Sequence, residues 1–197
     1  MKINKKAKAI FLGDSGVGKS AIFTRITQNT FNDYNLSTIG AICIPKYHIN
    51  KEKSLQIKIT FWDTAGQERF RAITKNEIFG ANIVIFCCHN EESFQMIKDI
   101  WYKECNKLIN LSSCLKLLLK TKSDIKLENN DILIKDMKEY ANQIGAMFFE
   151  TSAKENVNIS SLYNYICFES EKLELENDNA QIELNKRDKP SKSGFCC

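Results

Sequence analysis

Short apolar runs alternate along this chain with longer stretches in which apolar residues recur every three or four positions. The short runs predict strands, and the wider spacing predicts amphipathic helices. Six strands are predicted, at 9–12, 41–49, 55–62, 83–88, 115–119 and 146–149. Helical patterns cover 21–26, 91–110, 133–144 and 159–173, and a fifth helix is expected between the third and fourth strands.

The resulting order β-α-β-β-α-β-α-β-α-β-α predicts the fold class. It is α/β: a doubly wound, six-stranded, mostly parallel sheet with one antiparallel strand, flanked by five helices. Residues 55–62 alternate strictly between apolar and polar, which indicates one buried face in a hairpin toward the sheet edge. Ligands of such sheets bind beyond the carboxyl ends of the strands. A site is therefore expected in the loops after strands one, three, five and six.

The loop after the first strand has the spacing G-x-x-x-x-G-K-S over residues 13–20. Its glycines let consecutive backbone N–H groups surround a phosphate, and the helix N-terminus that follows adds partial positive charge. Lys19 can reach the outer phosphates, and the Ser20 hydroxyl can ligate Mg²⁺. The alternative is a glycine-rich turn that binds nothing. With a strand before the loop and a helix after it, the pattern predicts a nucleoside phosphate site.

The loop after the third strand carries three further candidates. Asp63 leaves the strand toward the phosphate loop, where it can hold Mg²⁺ through its water shell. Gly66 lets a backbone N–H approach a γ-phosphate, and Gln67 can orient a water molecule for in-line attack. The spacing D-x-x-G alone is common in turns. It becomes informative here because a phosphate loop accompanies it.

Composition narrows the class of protein. A chain of 197 residues with 43% apolar residues predicts one domain with a proper core, followed by a tail. The net charge of +4 is modest and spread along the chain, which argues against a nucleic-acid surface. No apolar run approaches the roughly 20 residues that span a membrane.

Eight cysteines raise the question of disulfides or a metal. Six of them lie in apolar runs without C-x-x-C spacing, and no signal-peptide pattern precedes the first strand. They are therefore predicted to be reduced, buried residues of a cytosolic protein. These six are Cys43, Cys87, Cys88, Cys105, Cys114 and Cys167.

Four motifs in this order together resemble those of the small GTPases of the Ras superfamily. They are the phosphate loop, Trp-Asp-Thr-Ala-Gly-Gln-Glu at 62–68, Thr-Lys-Ser-Asp at 121–124 and Glu-Thr-Ser-Ala-Lys at 150–154. Within the superfamily the Rab branch fits best, because of Ser-Thr-Ile-Gly at 37–40, the segment 67–74 and the Cys-Cys terminus. The resemblance covers about residues 7–170 and the last two. It implies a P-loop NTPase fold.

The resemblance also implies GTP or GDP as ligand and Mg²⁺ as cofactor. Ser20, Thr38 and Asp63 would hold the metal, and Gln67, Lys19 and Thr38 would act in hydrolysis. The residues that would contact the nucleotide are Ser15, Gly16, Val17, Gly18, Lys19, Ser20, Ala21, Phe31, Thr38, Gly66, Thr121, Lys122, Asp124, Ser152, Ala153 and Lys154.

The same resemblance assigns roles at the base. Phe31 would pack against the guanine ring, and Lys122 would lay its aliphatic stem along it. Asp124 would accept hydrogen bonds from guanine N1 and N2, a donor pair that adenine lacks. Residues 152–154 would close over the guanine O6, mainly by a backbone N–H.

Two of the chain's departures from the family pattern bear on the nucleotide site and on its partners. Thr121 replaces the usual Asn of N-K-x-D. Loss of that amide is expected to weaken nucleotide binding by about 1–2 kcal/mol, although Rho-branch members also carry Thr there. Lys120 stands where a Gly is usual and is expected to point outward. Of the aromatic triad that Rab effectors contact, only Trp62 remains, since Cys43 and Glu77 occupy the other positions. The effector surface is therefore expected to differ.

The last part of the chain is predicted to be a tail. Residues 1–172 are predicted to form the GTPase domain, and 173–197 a flexible tail of mainly Glu, Asn, Lys and Ser. The alternative for Cys196 and Cys197 is two incidental thiols. On a basic tail in a Rab-like chain, double geranylgeranylation is expected instead, since the C-a-a-X pattern does not fit. Two lipid chains anchor a protein stably.

The sequence therefore predicts a Rab-like GTPase that switches vesicle trafficking from the cytoplasmic face of intracellular membranes. The expected partners are an exchange factor, a GTPase-activating protein, escort and GDP-dissociation-inhibitor proteins and atypical effectors, with the chain itself a monomer. One alternative is a nucleotide-locked pseudo-GTPase that serves as an interaction scaffold. Another is a P-loop kinase or ATPase, against which Asp124 and residues 152–154 argue.

Overall fold

In the computed structural model, the described residues are 3–33, 40–64 and 76–177. They contain one sheet of six strands in the order β2-β3-β1-β4-β5-β6, in which only β2 runs antiparallel to its neighbour. The strands are β1 (Ile3–Leu12), β2 (Ile42–Asn50), β3 (Leu55–Asp63), β4 (Ile83–Cys88), β5 (Leu115–Lys120) and β6 (Met147–Glu150). The predicted sheet is confirmed, with its antiparallel strand at the edge.

Helices cover both faces of this sheet. They are α1 (Lys19–Gln28), α2 (Glu91–Met96, a π-helical turn at Ile97–Trp101, then Tyr102–Leu108), α3 (Asn130–Ile144) and α4 (Ile159–Ser170). Residues 76–78 are also helical, at the place of the fifth predicted helix. The fold class is thereby confirmed. In the described part of the chain, no helix has the length and apolar character needed to cross a membrane.

The core has two halves because successive residues of a strand point to opposite faces. Phe11 of β1 lies in the half beneath α1 and α4, with Ile22 and Leu162. Its neighbour Leu12 lies in the half beneath α2 and α3, with Met137. The phosphate loop leaves β1 where these two halves meet, and so contacts elements from both faces.

β1 is longer than its apolar run, which began at residue 9. Residues 3–8 are held by parallel pairing with β3. Residues 173–177, part of the predicted tail, lie against the same strand. The N–H of Lys6 donates to the carbonyl of Glu176 at 3.2 Å, and Lys5 pairs with Asn177. The part of the tail beyond residue 177 lies outside the described residues.

Glu171 fastens the β2–β3 hairpin to the end of α4. Its carboxylate accepts hydrogen bonds from Lys53 Nζ at 2.7 Å and Asn50 Nδ2 at 2.9 Å, and His48 Nε2 lies 2.7 Å away. These contacts, that of Lys53 first, lower the pKa of Glu171 to about 2. The β2–β3 hairpin is thus tied to the end of the helix that leads into residues 173–177.

Two predictions about side-chain exposure are wrong. Cys43 is exposed, because it lies on the open face of the edge strand β2. Lys120 was expected to point outward, yet it is only 1% exposed. It is enclosed because β5 is an inner strand, paired at this residue with Cys88 on one side and Glu150 on the other. Of the other five cysteines predicted to be buried, Cys114 is half-buried and the rest are buried.

Candidate functional site

The phosphate loop is shaped by close backbone packing. A Cβ on Gly13 would lie 2.3 Å from the carbonyl oxygen of Cys87, so only glycine allows the loop to cross β4 this closely. Gly18 has φ of +100° and caps α1, where its carbonyl accepts the N–H of Ile22. The loop therefore ends at a helix N-terminus, whose first N–H groups and partial positive charge favour an anion there.

Lys19 is buried at the first residue of α1. Its Nζ donates to the carbonyls of Gly13 at 2.9 Å and Asp14 at 2.7 Å, so the ammonium spans the loop. Burial lowers the pKa of Lys19, and electrostatic interactions with Cys87, Asp63 and Asp14 oppose that effect. The ammonium is thus held under the loop beside the Asp63 carboxylate.

A cavity of about 500 Å³ opens above the loop. This volume lies within the usual range for small-molecule sites, roughly 300–1,000 Å³. Twelve of the predicted nucleotide-binding residues line it: Ser15, Gly16, Gly18, Lys19, Ser20, Ala21, Phe31, Thr121, Lys122, Asp124, Ala153 and Lys154. Sequence reasoning did not name the other lining residues, Ile22, Asn32, Asp33, Thr64 and Ile125.

Two predicted residues lie behind the wall of the cavity. The side chain of Val17 is buried in the core beneath α1. Ser152 is also buried, and its N–H donates to the carbonyl of Val157 at 3.2 Å. Its Oγ donates to Oδ1 of Asp124 at 2.6 Å. Ser152 therefore orients the carboxylate that faces the cavity.

Thr121 joins the phosphate loop to the end of β5. Its hydroxyl donates to the carbonyl of Val17 and lies 3.1 Å from the carbonyl of Cys88. Its N–H donates to the same Cys88 carbonyl at 2.8 Å. The hydroxyl thus links the end of β5 directly to the phosphate loop. The next residue, Lys122, has φ of +53° and brings its stem beside Gly18.

Arg25 is a site residue that sequence reasoning missed. From the last turn of α1 its guanidinium donates to the carbonyls of Ala153 at 2.8 Å and Lys154 at 3.3 Å. The same group lies 6.0 Å from the ring centre of Phe31. Arg25 thereby connects three lining residues of the cavity, Phe31, Ala153 and Lys154. No motif could have indicated it, since its partners are 128 and 129 positions away.

Of the residues predicted to hold a metal, Ser20 lines the cavity and Asp63 directly precedes the lining residue Thr64. Asp63 is 1% exposed at the end of β3, and Ser20 lies in the first turn of α1. The hydroxyl of Thr64 donates to the carbonyl of Phe11 at 2.7 Å, which fixes the end of β3 against β1. A hydroxyl and a carboxylate are the oxygen ligands that Mg²⁺ prefers, so these residues fit that cation.

Five predicted functional residues lie outside the described residues. They are Thr38, Gly66, Gln67, Cys196 and Cys197.

The surface expected to contact effectors lies beside the site. Trp62 and Cys43 are paired across β3 and β2. Lys8 lies 4.5 Å from the ring centre of Trp62 and donates to the carbonyl of Phe79 at 3.0 Å. Burial raises the pKa of Glu77, while Lys8 lowers it. Lys8 thus covers the remaining aromatic residue and interacts electrostatically with Glu77.

This fold, with a glycine-rich loop between β1 and α1, defines a P-loop α/β protein. Residues 8–172 match the model of the Ras family. The Ras-related protein RABC1 of Arabidopsis thaliana is 38% identical over 82% of this chain and 73% of its own. RabC of Dictyostelium discoideum is 32% identical over 96% of both chains, and Rab-21 of Mus musculus 33% identical over 81% and 71%. The chain therefore belongs to the Ras family, as a Rab-type small GTPase.

Proposed function

We propose that this chain is a membrane-attached switch that binds GTP and GDP with Mg²⁺ and hydrolyses GTP slowly. The observation that carries this proposal is the shape of the cavity. A phosphate-binding loop forms its inner end, and a carboxylate held by Ser152 faces its outer end. A guanine nucleotide needs these two features at opposite ends of one site.

The outer end would select the base. Asp124 accepts a hydrogen bond from Ser152 on Oδ1, which fixes the plane of its carboxylate. In that orientation it can accept from the N1–H and N2–H of guanine, and adenine offers no such pair. Phe31 and the stem of Lys122 would cover the two faces of the ring. Because the N–H of Ser152 is engaged with Val157, the contact to O6 would come from Ala153 or Lys154.

The inner end would bind the phosphates. Residues 15–21 would surround them with backbone N–H groups, and Lys19 would turn from the carbonyls of Gly13 and Asp14 to the outer phosphates. Ser20, Thr38 and Asp63 would hold the Mg²⁺. When bound, the cation neutralises charge on the β- and γ-phosphates.

Hydrolysis would depend on positioning. Gln67 would orient the attacking water, and the N–H groups of Thr38 and Gly66 would contact the γ-phosphate. The phosphate loop contains no arginine. An arginine finger supplied by another protein contributes a factor of about 10³–10⁵ in rate. Unaided hydrolysis should therefore be slow and should depend on a GTPase-activating protein.

The domain would comprise residues 1–172, and the tail 173–197 would carry lipids on Cys196 and Cys197. Those lipids would place the GTP-bound form on the cytoplasmic face of intracellular membranes in vesicle trafficking. An exchange factor, a GDP-dissociation inhibitor and an escort protein would complete the cycle. Effectors would have to contact the altered surface around Trp62, Cys43 and Glu77. Mass spectrometry of the C-terminus from native cells tests the lipidation, and unmodified thiols would contradict it.

The nucleotide itself supplies the main test. The purified protein is denatured, the released nucleotide is identified by chromatography, and GTP turnover is followed with Mg²⁺. Bound GDP with slow turnover is expected. Bound guanine nucleotide with no turnover, even with an activating protein, would indicate the scaffold instead. Bound adenine nucleotide would refute the proposed specificity. The bond that Thr121 retains to the phosphate loop weighs against a disabled site.

A further inference from the structure

Asp14 of the phosphate loop accepts a hydrogen bond from α2, a helix on the face of the sheet opposite α1. The indole Nε1–H of Trp101, in α2, donates to Oδ1 of Asp14 at 2.8 Å. Trp101 is only 3% exposed and packs in the core half beneath α2 and α3. A buried indole N–H needs an acceptor, and the phosphate loop supplies it.

A local irregularity of α2 places this indole. Ile97, Trp101 and Cys105 are all buried and are spaced by four residues. In a regular α-helix a four-residue step drifts by about 40° around the axis, because a turn holds 3.6 residues. The π-helical turn at Ile97–Trp101 is wider, which keeps these residues on one stripe. Such turns occur frequently at functional sites.

The bond restrains the loop from the side opposite α1. Lys19 already holds the carbonyl of Asp14 at 2.7 Å, so Trp101 adds a second restraint, on the side chain of the same residue. Ser15 and Gly16, the next residues, line the cavity, whereas Asp14 does not. The indole thus also directs a carboxylate away from the place where phosphates would bind, and a charge there would repel them.

We propose that Trp101 is a positioning residue for the phosphate loop, acting through Asp14. The inference rests on the proposed function in one respect, namely that the loop binds the phosphates of a nucleotide. Loss of the bond leaves the loop free to move and lets the Asp14 carboxylate turn toward the phosphates. Release of bound GDP should then accelerate.

The test compares Trp101→Phe, Asp14→Ala and the double variant in the full-length protein. Each single variant should release GDP about ten- to a hundredfold faster, the effect of one hydrogen bond to a charged group. The double variant should be no faster than the faster single one, because both changes remove the same bond. Asp14→Asn, which keeps an acceptor oxygen, should stay close to the wild type. Tyr102→Phe, the next aromatic residue of α2, is the matched control and should leave GDP release unchanged.

A second readout needs no nucleotide. Amide hydrogen exchange at residues 13–19 should rise in Trp101→Phe and in Asp14→Ala, but not in Tyr102→Phe. Asp14 is only half-buried, so its variant keeps the test valid if loss of the indole impairs folding. Wild-type release rates together with unchanged exchange would overturn the inference, as would additive effects in the double variant. A wild-type protein that binds no guanine nucleotide would refute the proposed function, and hydrogen exchange would still decide the role of Trp101.

Discussion

Replacing Thr121 by valine tests the link between β5 and the phosphate loop. Valine has the shape of threonine, so Thr121→Val creates no cavity and removes only the hydroxyl that donates to the carbonyl of Val17. Thr121 and Val17 are each 1% exposed, so water cannot replace the lost donor. A buried acceptor left without its partner costs about 1–3 kcal/mol. We expect the free energy of unfolding to fall by about that amount.

The same change should weaken nucleotide binding. Val17 belongs to the phosphate loop, so its freed carbonyl lets the loop depart from the shape that binds phosphates. A tenfold weaker affinity for GDP corresponds to about 1.4 kcal/mol, and we expect a loss of up to that size. Urea unfolding gives the stability, and competition with a fluorescent GDP analogue gives the affinity.

Two variants control for the shape and the polarity of the side chain. Thr121→Ser keeps the hydroxyl and should behave much as the wild type does. Thr121→Asn restores the amide usual in the family and should bind GDP at least as tightly. A Thr121→Val protein with wild-type stability and wild-type GDP affinity would refute the reasoning.

Further predictions concern the base, a buried carboxylate and the attacking water. Arg25→Ala should speed GDP release roughly tenfold through loss of charge-assisted bonds, whereas Arg25→Lys should release GDP at an intermediate rate. Equal GDP release rates for wild type and Arg25→Ala in stopped-flow would count against a role of Arg25 in the site. Glu171→Gln should lower the free energy of unfolding at pH 7. The folded-state pKa of about 2 lies below the ordinary 4.5, so the stability difference between wild type and variant should shrink as the pH falls from 4.5 toward 2. The exposed control Glu139→Gln should show little change at any pH. A stability difference that persists at low pH would contradict this prediction. Gln67→Leu should slow single-turnover GTP hydrolysis without changing GDP affinity, and undiminished hydrolysis would rule out its proposed part.

The sheet and most of the cavity could be predicted because local patterns determine them. Apolar runs and alternation fix which segments are strands, and the right-handed crossover rule fixes how they wind. The strict alternation at 55–62 correctly placed a hairpin at the sheet edge, with β3 buried on one face. The spacing of residues 13–20 likewise placed the loop at the start of α1.

Contacts between distant segments could not be predicted. Trp101 and Asp14 are 87 positions apart, and Arg25 reaches a carbonyl 128 positions away. The apolar periodicity of 91–110 indicates which residues are buried, and it does not report the direction of the Trp101 indole N–H. The burial of Lys120 was missed for a related reason. A charged residue at a strand end is usually solvated, and only the strands paired on both sides of β5 enclose it.

The central claim is that one cavity binds guanine nucleotides through Asp124. The most direct measurement is competition of GDP, xanthosine diphosphate and ADP for the wild type and for Asp124→Asn. The wild type should prefer GDP, because a carboxylate accepts from both N1–H and N2–H. Asp124→Asn should prefer xanthosine diphosphate, because its amide N–H can donate to the oxygen at position 2 of xanthine. A wild type that binds ADP as tightly as GDP, or a variant with unchanged preference, would contradict the account.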